Sequence, residues 1–437
     1  MLRLIDITNV VIKYQLDEYL FRSRKTKILS LASGSIRSIF GVERVSGTLG
    51  YRIRCALEEL GPVFVKFGQI LSTRPDLVPN SIIQELQHLK ESVKPFDGKI
   101  AKAGVEYELG LLSIHDVFKE FDIVPVASGS VAQVHLGVLN NGDEVAVKIL
   151  RPDIEETIKK DIALFRQVAS MVELYKPVTK QLNIQKIIDE LSVSIIGELD
   201  LRQEAESIKK FKTNLAEFDY VHVPRVYDEY STSAILVMER MTGTPIDQDD
   251  VLRSQGVDIE KLVLQGLELL MVQIFRDGFF HADQHSGNLW IKPDGSRVYL
   301  DFGIMGTLSA DDRKLLLRVL FHLYSKNYKK LISAIAEGGW ASADTDLEAL
   351  EIEMTRLGSM FVNKEQQDFS LGKVFNNFVT GLQKFGVKVP YQYTLLGKTI
   401  ITIEGLSKKI APNLNISKSS GPILLKHFSK MNSQQQA

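Results

Sequence analysis

The chain predicts an α+β fold of two lobes with a helical extension in front of them. Three observations carry that expectation. Apolar residues recur at helical spacing from about residue 49 to 110, alternating Val-rich segments begin near residue 123, and helical spacing returns from about residue 258. At 437 residues the chain is too long for one small core. With 44% hydrophobic and 24% charged residues it has the composition of a folded protein, so most of its length should pack. The net charge of −1 gives no overall pull toward nucleic acid. A single cysteine, Cys55, excludes an intramolecular disulfide and a cysteine-built metal site.

The elements follow in order. The first 48 residues carry the weakest periodicity. Their start is not a signal peptide, because Lys13, Asp17 and Glu18 interrupt the apolar run. Within them Arg22, Arg24, Lys25, Lys27 and Arg37 stand among Leu and Phe residues. A solvated helix face is one reading of this segment, and contact with an anionic membrane surface is the other. The expected location is the cytoplasm, with peripheral membrane contact as an option. No 18-residue window is apolar and uncharged, so no transmembrane helix is expected. Helices are predicted through residues 49–92, punctuated by Gly61-Pro62 and restarting after a cap at Asn80, and again near 98–110. "VHLGVLNNGDEVAVKIL" reads as two strands about an Asn-Gly turn. Helices at 153–175 and 184–214 follow, then strands in "HVPRVYDEYSTSAILVMERM". The remainder reads as helix, apart from the hairpin "NLWIKPDGSRVYLDFG" with its turn at Asp294-Gly295. The tail "SKMNSQQQA" is expected to be disordered.

That hairpin poses the chemical question. Before it stands "GFFHADQHSGN", with His281, Asp283 and Asn288 set among apolar residues, and after it comes Asp301. Buried carboxylates are costly without compensation. A short hairpin brings its two ends together, so Asn288 and Asp301 can share a hard cation such as Mg²⁺. Asp283 then lies close enough to act on a hydroxyl or a water. This is the pattern H-x-D-x-x-x-x-N followed by D-F-G, which handles ATP phosphates in kinases. His281 would hold the loop. A kinase site also needs a strand lysine and a helix carboxylate. Lys148 in "EVAVKIL" supplies the first, and Glu198, Asp200, Glu204 and Glu206 are candidates for the second. In "AILVMERM", Met238 would wall an adenine pocket, and the main chain of Glu239 and Met241 would meet the purine edge. Singly these features are weak: "VAVK" is a common strand ending and "DFG" a common turn. Together they occur in the required order on the required elements.

The set resembles the UbiB/AarF (ADCK-type) family of atypical protein-kinase-like proteins over roughly residues 50–410. "KFGQ" at Lys66–Gln69 is similar to that family's K-x-G-Q signature, and "ELD" at Glu198–Asp200 to its E-x-D signature. "PVASGSVAQVH" is similar to its alanine-rich loop, and "FFHADQHSGNLWI" and "YLDFGIMG" to its catalytic and metal motifs. The resemblance implies a bilobal protein-kinase-like fold. Its parts are an N-terminal segment (1–48), a helical K-x-G-Q extension (49–122), a strand-rich lobe (123–243), a helical lobe (244–415) and a tail (416–437). It implies Lys148 as phosphate-binding lysine, Glu204 as its helix partner, Asp283 as catalytic aspartate, and Asn288 and Asp301 as Mg²⁺ ligands. Ala127, Ser128, Gly129, Ser130, Val131 and Gln133 would form the nucleotide loop. Lys66 and Gln69 with Glu198 and Asp200 would join the extension to the strand-rich lobe over the active site. On a regular helix Glu198 and Asp200 would diverge, so convergence needs a helix end, which Gly197 can supply.

Departures are few. Gln284 and Ser286 stand where the family often has proline. Ser128 and Gly129 replace loop alanines, and a glycine there offers a positive φ and close approach of phosphates. Some bacterial members carry a C-terminal pair of membrane helices; none is expected in "GPILLKHFSKMNSQQQA", which is short and charged. The activity implied is an ATPase or a small-molecule or lipid kinase, using ATP and Mg²⁺ and supporting ubiquinone synthesis through a quinone-pathway lipid or protein. A protein kinase and a nucleotide-binding, lipid-handling scaffold are the alternatives. Against the first of these, "DFGIMGTLSADDRKLLL" runs almost directly into a helix capped near Ser309, with no A-P-E segment to receive a peptide.

Overall fold

The structure is a computed structural model and describes residues 2–16, 45–72, 78–89, 93–175, 184–362 and 371–414. The basic segment with Arg22 to Arg37 and the C-terminal tail lie outside the described residues. In chain order the first helices are α1 (Leu2–Lys13), α2 (Leu49–Leu60), α3 (Pro62–Ser72), α4 (Asn80–Leu86) and α5 (Gly98–Glu108). Strands β1 (Phe118–Phe121), β2 (Ala127–Ser128), β3 (Ala132–Leu139) and β4 (Glu144–Leu150) follow. Next come α6 (Ile154–Tyr175), α7 (Ile184–Gly197) and α8 (Leu201–Asn214), then β5 (Val221–His222), β6 (Ile235–Glu239) and β7 (Thr244–Pro245). After α9 (Asp249–Ser254) and α10 (Ile259–Met271) lie β8 (Phe279–His281), β9 (Leu289–Ile291), β10 (Arg297–Tyr299) and β11 (Met305–Thr307). Helices α11 (Ala310–Tyr324), α12 (Tyr328–Glu337), α13 (Leu347–Val362), α14 (Leu371–Lys384) and α15 (Tyr391–Ile410) complete the described chain. The fold is α+β and kinase-like.

Two compact units result: Met1–Ala205 with Val226–Arg240, and Glu206–Arg225 with Met241–Ala437. In the first, an antiparallel sheet runs β1-β3-β4-β6, with β2 also on β3. The Asn141-Gly142 turn joins β3 to β4, and Gly142 takes the positive φ of 92° that such a turn requires. Along β4 the residues Val145, Val147 and Ile149 are buried in the sheet core with Ala101, Phe118, Ile235 and Val237. Period-two alternation therefore puts Lys148 on the other face. A separate core joins α1, α2 and α3 to α6 and α7 through Val10, Ala56, Phe64, Ile158, Ile162 and Ile195, with Phe67 stacked on Phe165. Gly68 makes close packing of α3 possible: a Cβ there would lie 2.5 Å from Leu89 and 2.6 Å from Leu57.

The second unit holds a four-stranded sheet, β5-β10-β9-β7, and the antiparallel pair β8–β11. Phe211, Phe280, Tyr299 and Phe302 are fully buried there, and the His281 ring packs among the rings of Phe211, Tyr299 and Phe302. Among the described residues no helix is long and apolar enough to cross a membrane.

Three local expectations are corrected. The segment 184–214 is two helices, broken at Glu198–Asp200, because Asp200 caps α8: its Oδ1 accepts from Arg202 N at 3.1 Å. Helix α4 begins at Asn80 itself behind Pro79, without a side-chain cap, because proline's fixed φ suits a helix start. The helix expected to run into "RDGFF" ends at Met271 and passes through a π-turn, Val272–Asp277. It terminates at Gly278 in the left-handed region, where a Cβ would lie 2.3 Å from the Leu308 carbonyl.

Candidate active site

In the first unit, Lys148 and Glu204 form a bidentate ion pair. The lysine Nζ donates to both carboxylate oxygens, at 2.9 and 2.8 Å, and the side chains are 12% and 7% exposed. Glu204 is placed there by the apolar stripe of α8, where Leu201, Ala205 and Ile208 are buried on either side of it. The lysine reaches it from the strand face opposite the core.

The loop ahead of β3 is a tight turn. Ala127 and Ser128 pair with Val134 and Gln133, and Gly129 N donates to Ala132 O at 2.8 Å across Ser130 and Val131. Gly129 does not take a positive φ, and a Cβ there would meet only the Ala132 carbonyl, at 3.5 Å. The conformational reason expected for this glycine therefore does not hold, because an ordinary hairpin closes the turn. Arg151, which the sequence reading passed over, grips the turn: its guanidinium donates to Gly129 O at 3.0 and 3.1 Å and to Ser128 Oγ at 2.8 Å. Gln133 is fully buried, with its Oε1 accepting from Phe96 N at 3.1 Å and its Nε2 2.8 Å from His135 Nε2. On β6, Met238 pairs with Ala146 and Glu239 with Val145; Met241 lies two residues past the strand, in the other unit.

Lys66 and Glu198 meet at 2.8 Å, both largely buried. The other two members of that set go elsewhere. Asp200 binds the Arg202 guanidinium at 2.8 Å through each oxygen, and Gln69 Nε2 donates to Leu89 O at 3.5 Å. The helix break lies between the two carboxylates, at Glu198–Asp200.

In the second unit, β9 and β10 pair in register, Leu289 with Tyr299, around the Asp294-Gly295 turn, where Gly295 takes φ 84°. Just outside this register Leu300 N donates to Asn288 O at 3.1 Å, which brings Asn288 to within one residue of Asp301 along the partner strand. Asn288 Nδ2 donates to Asp283 O at 3.1 Å, and this orients its Oδ1 as the remaining acceptor. Asp301 Oδ1 accepts from Gly303 N at 2.8 Å. An amide oxygen and a carboxylate are the hard donors that Mg²⁺ takes, so the residues present fit that ion.

His281 fixes the loop from below. Its main-chain N–H donates to Gln273 Oε1 at 3.1 Å, its Nδ1 accepts from Asp283 N at 3.2 Å, and its carbonyl accepts from Gln284 Nε2 at 3.1 Å. Burial pushes its pKa down, which keeps it an uncharged structural ring. Asp283 has two nitrogen groups beside it: Lys398 Nζ donates to its Oδ1 at 3.1 Å, and His285 Nε2 stands 3.6 Å from its Oδ2. Burial alone would raise the Asp283 pKa, but Lys398 and His285 outweigh it and hold the carboxyl below its ordinary range. Lys398 was not anticipated from sequence. Its one signal was a lone charge within the apolar run Leu395–Ile403.

Comparison with known proteins places the chain in a family. Residues 88–335 match the family model described as ABC1 atypical kinase-like domain, and residues 354–415 match the UbiB helical domain. A solved structure from Mycobacterium tuberculosis, described as the complex structure of Rv3197-erythromycin, is similar in fold. It is 23% identical with a TM-score of 0.50, covering 89% of this chain and 98% of that one.

Proposed function

The chain belongs to the family of ABC1 atypical kinase-like domains and carries a UbiB helical domain; on that premise we propose that it binds Mg-ATP and transfers the γ-phosphoryl group. The acceptor is water, a small molecule or a lipid, and the role is support of isoprenoid quinone (ubiquinone) synthesis, a role that rests on family resemblance. One arrangement supports the chemistry above the rest. The Asn288 side chain is oriented by the carbonyl of Asp283, and the β9–β10 hairpin brings it beside Asp301.

Each residue has a role in this reading. Lys148, fixed by Glu204, donates to phosphate oxygens, and the Ala127–Val131 turn with Gln133 offers them main-chain N–H groups. Met238 and the main chain of Glu239 and Met241 receive the adenine. Asn288 and Asp301 would hold the Mg²⁺, which supplies charge neutralisation at the phosphates. Asp283 receives the hydrogen bond of the acceptor hydroxyl. Held ionised with the Lys398 ammonium beside it, it orients the acceptor first and takes the proton as transfer proceeds. Lys66 and Glu198, with Gln69, tie α3 to the segment ahead of α8, while Asp200 acts as the cap of that helix.

Peptide phosphorylation is less well supported. After Gly303 the chain enters β11 and then α11 at Ala310, where Ser309 and Asp312 form a capping box. Little chain is left there to hold a peptide. A binding-only scaffold would have no need of Asp283.

The test is phosphate release from Mg-ATP, with and without anionic liposomes. Asp283→Asn should keep Mg-ATP binding and lose turnover by about 10²–10⁴-fold. Asp301→Asn should lose Mg-dependent nucleotide binding. Equal turnover in all three proteins would refute the assignment. ATP bound without release under any condition would favour the scaffold.

A further inference from the structure

The catalytic loop lacks a cation of its own. Between Asp283 and Asn288 the chain reads Gln-His-Ser-Gly, with no lysine or arginine. Its histidine faces the carboxylate's Oδ2, and the ring's Nδ1 accepts from Gly287 N at 3.0 Å. The charge at the carboxylate's other oxygen comes from 115 residues away, as Lys398 Nζ at 3.1 Å. That lysine is held on α15 beside Thr399, whose hydroxyl lies 3.3 Å from the Ala282 carbonyl and 2.9 Å from Leu395 O. Two successive residues of α15 therefore meet two successive residues of the loop. The lysine side chain is 25% exposed, and an ammonium has three N–H groups, so engagement with Asp283 leaves donors for a ligand.

We propose that Lys398 is a catalytic cation of phosphoryl transfer: from the UbiB helical domain it contacts the transferring phosphoryl group beside Asp283, supplying in cis the charge that the loop lacks. The proposal rests on the phosphotransferase reading above. In the step, the bond from the acceptor oxygen to the γ-phosphorus forms as the β–γ bridging P–O bond breaks. ADP leaves with that electron pair, and the acceptor's proton passes to the Asp283 carboxylate. Lys398 moves no proton. It donates to an equatorial phosphoryl oxygen, the role an arginine finger fills in other phosphoryl-transfer enzymes. A group within hydrogen-bond reach of the acceptor-orienting carboxylate is in position to do this.

The probe is Mg-ADP with aluminium fluoride, which mimics the transferring group without needing the acceptor. Its affinity is compared with that of Mg-ADP alone by calorimetry in the full-length wild type, Lys398→Met, Lys398→Arg, Asp283→Asn and the Asp283→Asn/Lys398→Met double variant. We expect fluoride to tighten Mg-ADP binding to the wild type. Lys398→Met should lose about 10²–10³-fold of that tightening, the scale of removing one transition-state donor, with Mg-ADP affinity within about threefold of wild type. Lys398→Arg should retain most of the tightening. The same second loss should appear on the Asp283→Asn background. Its absence there would mean that Lys398 acts only through Asp283, and would overturn the contact with the phosphoryl group. Unchanged tightening in Lys398→Met overturns the role of Lys398 and leaves the phosphotransferase reading standing. No tightening in the wild type overturns that reading, and the role of Lys398 with it. Parallel loss of Mg-ADP binding and melting temperature in both Lys398 variants would assign the residue to structure instead.

Discussion

Two lysine–carboxylate pairs, one in each unit, use the same chemistry to opposite ends. Lys148 and Glu204 form a bidentate pair: both carboxylate oxygens accept from one ammonium, and both side chains are nearly sealed from water. Asp283 is instead divided among neighbours, with Lys398 at one oxygen, His285 near the other, and Asn288 on its main-chain carbonyl. It and Lys398 are also more open to solvent. A bidentate carboxylate holds its lysine in one position, whereas a carboxylate divided among neighbours keeps acceptor capacity for a ligand. The difference indicates that the first pair contributes mainly through geometry and the second through chemistry.

The largest effect on stability should follow from breaking the bidentate pair. Glu204→Ala leaves Lys148 buried without its carboxylate and should cost about 3–5 kcal/mol, measured by denaturant unfolding. Replacing the pair by apolar side chains, Lys148→Met with Glu204→Leu, should return stability to within about 1 kcal/mol of wild type. Nucleotide binding should stay lost in that double variant. Wild-type stability in Glu204→Ala would show the pair to be solvated and would remove the contrast.

How much of this contrast was legible follows from sequence distance and element type. Lys148 could be placed because strand alternation fixes its direction, and Asn288 with Asp301 because a short hairpin fixes its own ends. Glu204 was one of four carboxylates on that stretch; period alone did not choose among them, and the resemblance did. The break at Glu198–Asp200 was half visible in Gly197, and the cap that Asp200 gives α8, with its pair to Arg202, was not read from the sequence. Gly129 was assigned a conformational purpose that its backbone does not use. Lys398 was out of reach, because helical periodicity shows which face of α15 is apolar but not which distant loop a lysine on it will meet.

A smaller effect should come from the divided pair. Asp283→Asn leaves Lys398 with some access to water and keeps the shape of the side chain. Its unfolding free energy should fall by about 1 kcal/mol or less, as for partly solvated pairs, even though turnover collapses. A loss as large as that of Glu204→Ala would make Asp283 a structural residue like Glu204 and dissolve the comparison.

The smallest effect separates a third kind of carboxylate, one that serves local structure alone. Asp312 closes the capping box of α11: its Oδ2 accepts from Ser309 N at 2.9 Å, and its Oδ1 accepts from the Tyr393 hydroxyl at 3.0 Å. Partial burial would raise its pKa, but the hydrogen bonds from Ser309, Tyr393 and Gln392 outweigh that and lower it. Because the folded value lies below the unfolded one, near 4, its stabilisation is fully present above about pH 4 and is lost as pH falls through the folded value. Asp312→Asn should therefore cost roughly 1 kcal/mol at pH 7, the usual worth of such end-of-helix hydrogen bonds. Melting curves of variant and wild type should converge as the pH is lowered below 4. A gap that stayed constant into acid would mean that the contribution of Asp312 is steric, and that of these three carboxylates Glu204 and Asp283 alone act through their charge.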